Sequence, residues 1–197
     1  INDKSILLSL ADKFLDQYYL EPLKYDQLFS NQSNIDIMYT IGIIYYDGIY
    51  IEHNYQKAKE YFVISAKQNN YDAIKYLGIL YFYGYGVEQD YLKAKEYFEI
   101  AVKHGKYDAL EYLGHFYFYG YGVEKNYLKA KEYYELAKKQ NNFRVIEYLG
   151  HFYFYGYGVE KNYSKAKEYY EMAVENCNHN AYLYLGHLYF YGYGTEK

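Results

Sequence analysis

Three histidines, His115, His151 and His187, recur at one position of a sequence that repeats itself, where Ile43 and Ile79 stand in the earlier copies. Histidine is the side chain most ready to bind a metal or move a proton near neutral pH. A shared zinc needs its ligands about 2 Å from one centre, whereas packed helices lie about 8–10 Å apart. The ladder is therefore read as partly solvated surface histidines. Gly-Tyr-Gly-Val at 84–87, 120–123 and 156–159 could pass for a phosphate-cradling loop. It lacks a third glycine and follows no strand, so a left-handed helix stop is the better reading. Cys177, the sole cysteine, has no partner for a disulfide or a metal pair. Ser164 beside Lys165 lies on a helix that otherwise copies its neighbour, and near-identical copies are a poor place for a unique active site. No catalytic group, metal or cofactor is expected.

What must position these residues is the repeat. The segment 111–135 returns at 147–171 with one change, Leu128 to Ser164, and Gly42, Gly78, Gly114, Gly150 and Gly186 fall 36 residues apart. A fixed period between 20 and 50 residues marks a solenoid, in which each unit buries its apolar face against its neighbours. The 197 residues carry 21 Lys+Arg against 25 Asp+Glu, a net charge of −4. That balance, without a basic stripe, argues against nucleic acid as partner. No apolar run is long enough for a membrane helix and no leader pattern opens the chain, so a cytoplasmic protein without membrane insertion is expected. The 36 tyrosines are the unusual feature. Tyrosine buries a ring while its hydroxyl reaches water or a partner, which suits a thin protein.

Residues 1–34 lie outside the clean repeat and are expected to form a degenerate N-terminal helical cap and linker. Ser5 is a candidate N-cap for the stripe Ile6, Leu7, Leu10, Phe14 and Tyr18; Pro22 precedes a short piece from Leu23 to Phe29, and 30–34 reads as linker. The array then fills 35–197, with four full repeats and a truncated fifth. In the copy at 71–106, helix A runs from about Asp72 to Tyr83, with Ala73, Ile74, Leu77, Leu80 and Tyr81 on one face. Gly84 ends it, and Asp90 caps helix B as Asn54, Asn126 and Asn162 do elsewhere. Helix B turns Tyr91, Ala94, Phe98 and Ala101 inward. Gly78 costs about 1 kcal/mol in mid-helix, so close approach of helix B through Ala94 is expected to offset it. Lys-x-Lys-Glu runs at 93–96, 129–132 and 165–168 read as a solvated outer face.

These residues resemble the Sel-1-like repeat family. The resemblance rests on Ala109, Leu113-Gly114, Tyr117, Gly120-Tyr121-Gly122-Val123, Asn126, Lys129-Ala130, Tyr133-Tyr134 and Ala137. The first copy departs from the pattern at Tyr50, where the second loop glycine is lost. The resemblance implies an all-α fold, a right-handed α-α superhelix of helix-turn-helix repeats related to tetratricopeptide arrays. It also implies a non-enzymatic scaffold that binds a protein or peptide along its concave side. The expected contact stripe on helix A is Tyr76, Tyr83, Tyr112, His115, Tyr119, Tyr148, His151, Tyr155, Tyr184, His187 and Tyr191, facing away from the Leu113 and Tyr117 core. The alternative is a regulatory arm of a larger signalling enzyme, such as a protein kinase. The cysteine-rich branch linked to β-lactam hydrolysis is disfavoured, because its paired cysteines are absent.

Overall fold

A computed structural model describes residues 32–48 and 52–194, and among these every regular element is a helix. The A helices are α1 (Gln32–Asp47), α3 (Tyr71–Tyr83), α5 (Leu110–His115), α7 (Ile146–Tyr155) and α9 (Ala181–Tyr191). The B helices are α2 (Tyr55–Lys67), α4 (Tyr91–Lys103), α6 (Tyr127–Lys139) and α8 (Tyr163–Glu175). Tight turns at Tyr107–Ala109 and Phe143–Val145 lead into α5 and α7, and α5 runs on through a wider turn, Phe116–Gly120. The proposed cap helices and Tyr50 lie outside the described residues. Helix α1 begins at Gln32, so part of the stretch read as linker is helical.

The chain forms two compact units, residues 1–101 and 102–197. In the first, Met38, Ile41, Tyr45, Phe62, Leu77 and Leu80 share a core. In the second, Tyr134, Ile146, Leu149, Phe152, Tyr170 and Leu188 do so.

Local chemistry sets each A–B hairpin. Leu80, Phe116 and Phe152 carbonyls accept the N–H groups of Tyr85, Tyr121 and Tyr157 at 2.9, 3.1 and 3.0 Å, closing the A helices in the same way. Gly84, Gly120 and Gly156 make that closure with φ of 73°, 79° and 76°, which a Cβ would penalise. The second loop glycine is there for contact: a Cβ on Gly86 would stand 2.7 Å from the Gln56 nitrogen at the start of α2. The expected caps form, since Lys57, Lys93, Lys129 and Lys165 each donate their backbone N–H to Asn54, Asp90, Asn126 and Asn162 at 2.9 Å. Each cap residue also returns its own N–H to helix A, as Asn126 does to Tyr117 at 2.8 Å and Asn162 to Tyr153 at 2.9 Å. At the B–A turns, Asn69, Gly105, Asn141 and Cys177 hold φ between 63° and 86°. Cys177 thus occupies a left-handed turn position and is exposed.

The mid-helix glycines do accommodate helix B, but the group they admit is a ring. A Cβ on Gly42 or Gly150 would lie 2.5 Å from the ring of Phe62 or Tyr170, and one on Gly78 2.9 Å from Phe98. The Gly114 Cβ would strike Tyr134 in the same way. Ala94, expected at this contact, is buried one turn earlier along α4. A flat ring needs more width than a methyl, so only a residue without Cβ lets the helices meet across it.

Gly186 breaks the series, because nothing lies within 4 Å of its Cβ position. Gly114→Ala is expected to destabilise by about 1–3 kcal/mol through overpacking. Gly186→Ala is expected to stabilise by up to about 1 kcal/mol through helix propensity. Urea unfolding of the two variants beside the parent chain measures both; shifts of the same sign would refute the ring-on-glycine account.

Candidate interaction surface

The expected stripe divides into three rows with different surroundings. The first row lies between repeats: Tyr76 stacks on Phe62 at 5.1 Å, Tyr148 on Tyr134 at 5.1 Å and Tyr184 on Tyr170 at 5.0 Å, with interplanar angles of 26°, 26° and 17°. Each ring fills the seam to the preceding B helix and is half-buried. Tyr112, half-buried as well, meets His115 edge-on at 6.3 Å.

The second row corrects the expectation of solvated histidines. His115 is wedged between Tyr134 of α6 at 5.7 Å and Tyr148 of α7 at 4.9 Å. His151 sits likewise between Tyr170 at 5.7 Å and Tyr184 at 4.5 Å, and is 9% exposed. Placing them opposite the Leu113 face was correct for the helix alone. That opposite face is covered by the partner B helix and the following A helix. Only His187, on α9, is exposed.

The two packed histidines differ in their hydrogen bonds. His151 Nδ1 lies 2.8 Å from the Tyr170 hydroxyl, and its Nε2 3.5 Å from Glu147 Oε1. The hydrogen bond from His151 holds the Glu147 carboxyl below its usual range against the effect of burial. Asn178 also donates to Glu147, at 2.8 Å. In the sister repeat, His115 Nε2 and the Tyr134 hydroxyl are both buried without a hydrogen-bond partner. Burial lowers the His115 imidazole to about 4 and raises the nearby Glu111 carboxyl above its ordinary value. One sequence signal could have found this packing. Isoleucine after the helix-A glycine accompanies phenylalanine on helix B (Ile43 with Phe62, Ile79 with Phe98), and histidine accompanies tyrosine (His115 with Tyr134, His151 with Tyr170).

The third row reaches solvent. Tyr83, Tyr119, Tyr155 and Tyr191 are 48%, 40%, 42% and 55% exposed. Each stacks on the loop tyrosine two residues on: Tyr83 on Tyr85, Tyr119 on Tyr121 and Tyr155 on Tyr157 at 5.2 Å, and Tyr191 on Tyr193 at 5.7 Å. The loop ring in turn lies flat on the first residue of the preceding B helix, Tyr85 on Tyr55 at 4.7 Å, Tyr157 on Tyr127 at 4.6 Å and Tyr193 on Tyr163 at 4.5 Å. At Tyr83, Tyr155 and Tyr191 the exposed ring is therefore the end of a three-ring pile and is held before any ligand arrives.

The lysine runs also depart from a plain solvated face. Lys93, Lys129 and Lys165 lie over Tyr81, Tyr117 and Tyr153 at 4.2, 4.2 and 4.4 Å, and Lys131 over Tyr153 at 5.2 Å. Burial acts to raise the Tyr153 phenol, but hydrogen bonds from Lys165 and Lys131 carry it below its ordinary value. Lys95 and Lys167 make the expected pairs with Glu99 and Glu171 at 2.8 and 3.7 Å. Leu92, Leu128 and Leu136 stand exposed among them. Among the described residues no group of three or more His, Cys, Asp or Glu side chains could hold a metal, and no helix is long and apolar enough to cross a membrane.

Stacked helix hairpins, with Gly-x-Gly loops after the second, third and fourth A helices and a ring seated on Gly42, Gly78, Gly114 and Gly150, define a helical repeat solenoid. The Sel1 repeat model matches residues 37–70, 72–106, 108–142, 146–176 and 179–197, and the chain belongs to this family. Sel1 repeats typically mediate protein–protein interactions. The structure is similar to c5321, a protective antigen of uropathogenic Escherichia coli strains displaying an SLR fold, with TM-score 0.74 and 28% identity over 84% of this chain and 35% of that one. It is also similar to a Sel1 repeat protein from Oxalobacter formigenes, with TM-score 0.70 and 31% identity over 79% of this chain and 63% of that one. The chain thus spans about a third of the first and under two thirds of the second. No curated protein sequence matches it.

His115 gives the fold an acid-sensitive seam. Its folded value of about 4 lies below the ordinary 6.5, so the stability of the neutral form is full above pH 6.5 and drains as pH falls toward 4. The loss is up to about 3 kcal/mol. Glu111, with a raised value, acts in the opposite sense below pH 5, so the comparison must be with a variant. His115→Ile, the residue of the earlier copies, is expected to flatten the stability profile between pH 6.5 and 4. Parallel profiles for both proteins, measured by urea unfolding, would refute the assignment.

Proposed function

We propose that this chain is a non-enzymatic scaffold that binds a protein or peptide along the helix-A side, the side expected to be concave. The observation that carries this reading is the row of exposed, pre-stacked tyrosines Tyr119, Tyr155 and Tyr191 in the second unit, with Tyr83 their equivalent in the first. Tyrosine offers a large contact area for few rotors, and a ring already fixed by its neighbours loses little further freedom on binding. The half-buried first row and buried histidines support the pile from behind, so they act on binding through the rings they hold. Near identity of the copies favours a repeated contact register over a single reaction centre. Family membership supports the same reading.

The test is the variant Tyr119→Ser/Tyr155→Ser/Tyr191→Ser. A partner captured on the parent chain is purified and titrated against both proteins, with circular dichroism recorded in parallel. Helicity is expected to persist because these rings are exposed, while affinity falls more than about tenfold, as truncating central aromatic anchors does. Equal affinities would remove the row as the contact surface.

A further inference from the structure

Tyrosines two residues apart on an A helix point to opposite sides, and the second unit furnishes the two sides differently. On one side Tyr117 stacks on Tyr133 and Tyr153 on Tyr169 at 5.8 and 5.7 Å, nearly parallel at 8° and 7°. Lysines of the B helices complete these pairs. Lys129 lies over Tyr117 at 4.2 Å, and Lys165 and Lys131 lie over Tyr153 at 4.4 and 5.2 Å. On the other side Tyr119 stacks on Tyr121 and Tyr155 on Tyr157, both at 5.2 Å, with interplanar angles of 28° and 22°. Tyr119 and Tyr155 are 40% and 42% exposed. Among the described residues no lysine or arginine lies over either ring.

The distribution of charge explains the difference. Helices α6 and α8 carry Lys129, Lys131, Lys165 and Lys167, whereas α5 with its closing turn, α7 and α9 hold no lysine or arginine. The only charged side chains of those three A helices are Glu111 and Glu147. Arg144 stands in the turn before α7, at the opposite end of the helix from Tyr155. Lys125 and Lys161 in the A–B loops each follow a glutamate, Glu124 or Glu160, so neither sign prevails there. Where an A helix of the first unit does carry a lysine, Lys75, it lies over Tyr76 at 5.3 Å. The helix-A side of the second unit therefore offers ring faces and carboxylates without the cations that complete the other side. A tyrosine face is electron-rich and attracts a cation. The planar, weakly hydrated guanidinium of arginine stacks on such a face more readily than a lysine ammonium.

Spacing sets the form of the ligand. Helices α5 and α7 are direct neighbours, with the His115 ring 4.9 Å from that of Tyr148. Packed helices lie about 8–10 Å apart, and an extended chain rises about 3.3 Å per residue, so about three residues step from one A helix to the next. We propose that the tyrosine row takes an extended peptide with arginine at every third residue, one guanidinium on Tyr119 and the next on Tyr155. Tyr191 continues the register. This rests on the reading of the row as the contact surface and adds the chemistry of its partner.

The probe is a labelled serine nonapeptide with arginine at positions 2, 5 and 8, titrated by anisotropy against the 197-residue chain. Physiological salt screens diffuse attraction to the net charge of −4. Saturation is expected. Tyr119→Phe/Tyr155→Phe keeps the ring faces and is expected to bind within about twofold of the parent. Tyr119→Leu/Tyr155→Leu keeps the bulk without the ring and is expected to bind about tenfold more weakly, with circular dichroism unchanged. Moving the arginines to positions 4, 5 and 6 preserves charge and composition and is expected to weaken binding to the parent chain. The proposal is overturned by a titration that does not saturate, or by a clustered peptide that matches the spaced one. A Leu variant that binds like the parent, or a Phe variant as weak as the Leu variant, overturns it too. A citrulline peptide, planar but uncharged, separates this proposal from the broader reading. If it binds as tightly as the arginine peptide, the cation is wrong and the row remains a contact surface. The same holds if the arginine peptide fails while Tyr119→Ser/Tyr155→Ser/Tyr191→Ser still loses the captured partner.

Discussion

One aromatic ring per repeat, clamped between a glycine and a tyrosine, carries the architecture. Phe62 has the Gly42 backbone of its own hairpin against one side and Tyr76 of the next repeat stacked on it. Tyr134 lies in the same way between Gly114 and Tyr148, and Tyr170 between Gly150 and Tyr184. The glycine sets the distance between helices A and B, and the tyrosine couples that hairpin to its successor. A Cβ at the glycine would push the ring outward and disturb both contacts. Local helix propensity is thus lost at five positions, and in the four copies where a ring packs on the glycine that contact offsets it.

The abundance of tyrosine follows from the same geometry. A stack of hairpins is thin, so a large ring can pack on one face while its hydroxyl remains near water. Three separate uses appear: rings in the seam, piles at the A–B loops, and stacked pairs under lysines. The last are Tyr81 with Tyr97, Tyr117 with Tyr133 and Tyr153 with Tyr169, at 5.8, 5.8 and 5.7 Å. In this chain ring stacking takes over much of the role that aliphatic packing plays in a globular core.

The change from Ile and Phe to His and Tyr shows how a repeat tolerates polarity in its seam. A buried polar pair holds only where its members satisfy each other. His151 and Tyr170 do, and Glu147 anchors the far side of the imidazole. His115 and Tyr134, with the same neighbours in sequence, leave Nε2 and the hydroxyl unpaired. Two copies identical over 24 of 25 residues therefore differ in whether this buried pair is satisfied.

The sequence alone determined the period, the hairpins, the Asn and Asp caps, the glycine stops and the family. These depend on neighbours within a few residues, where side-chain chemistry and backbone conformation are directly coupled. Tyr83, Tyr119, Tyr155 and Tyr191 were legible as exposed for that reason, since they stand one residue before the helix stop. The surroundings of His115 and His151 were not legible from a helical wheel, which assigns one buried face to each helix. Within the second unit α7 touches its own B helix, the preceding B helix and the next A helix, so the side opposite Leu149 is buried too. Likewise Lys93, Lys129 and Lys165 look solvated along their own helix but find tyrosine rings on another. Tertiary structure decided these environments, because they are made by residues about 12 to 36 positions away whose approach is set by the ring between the helices.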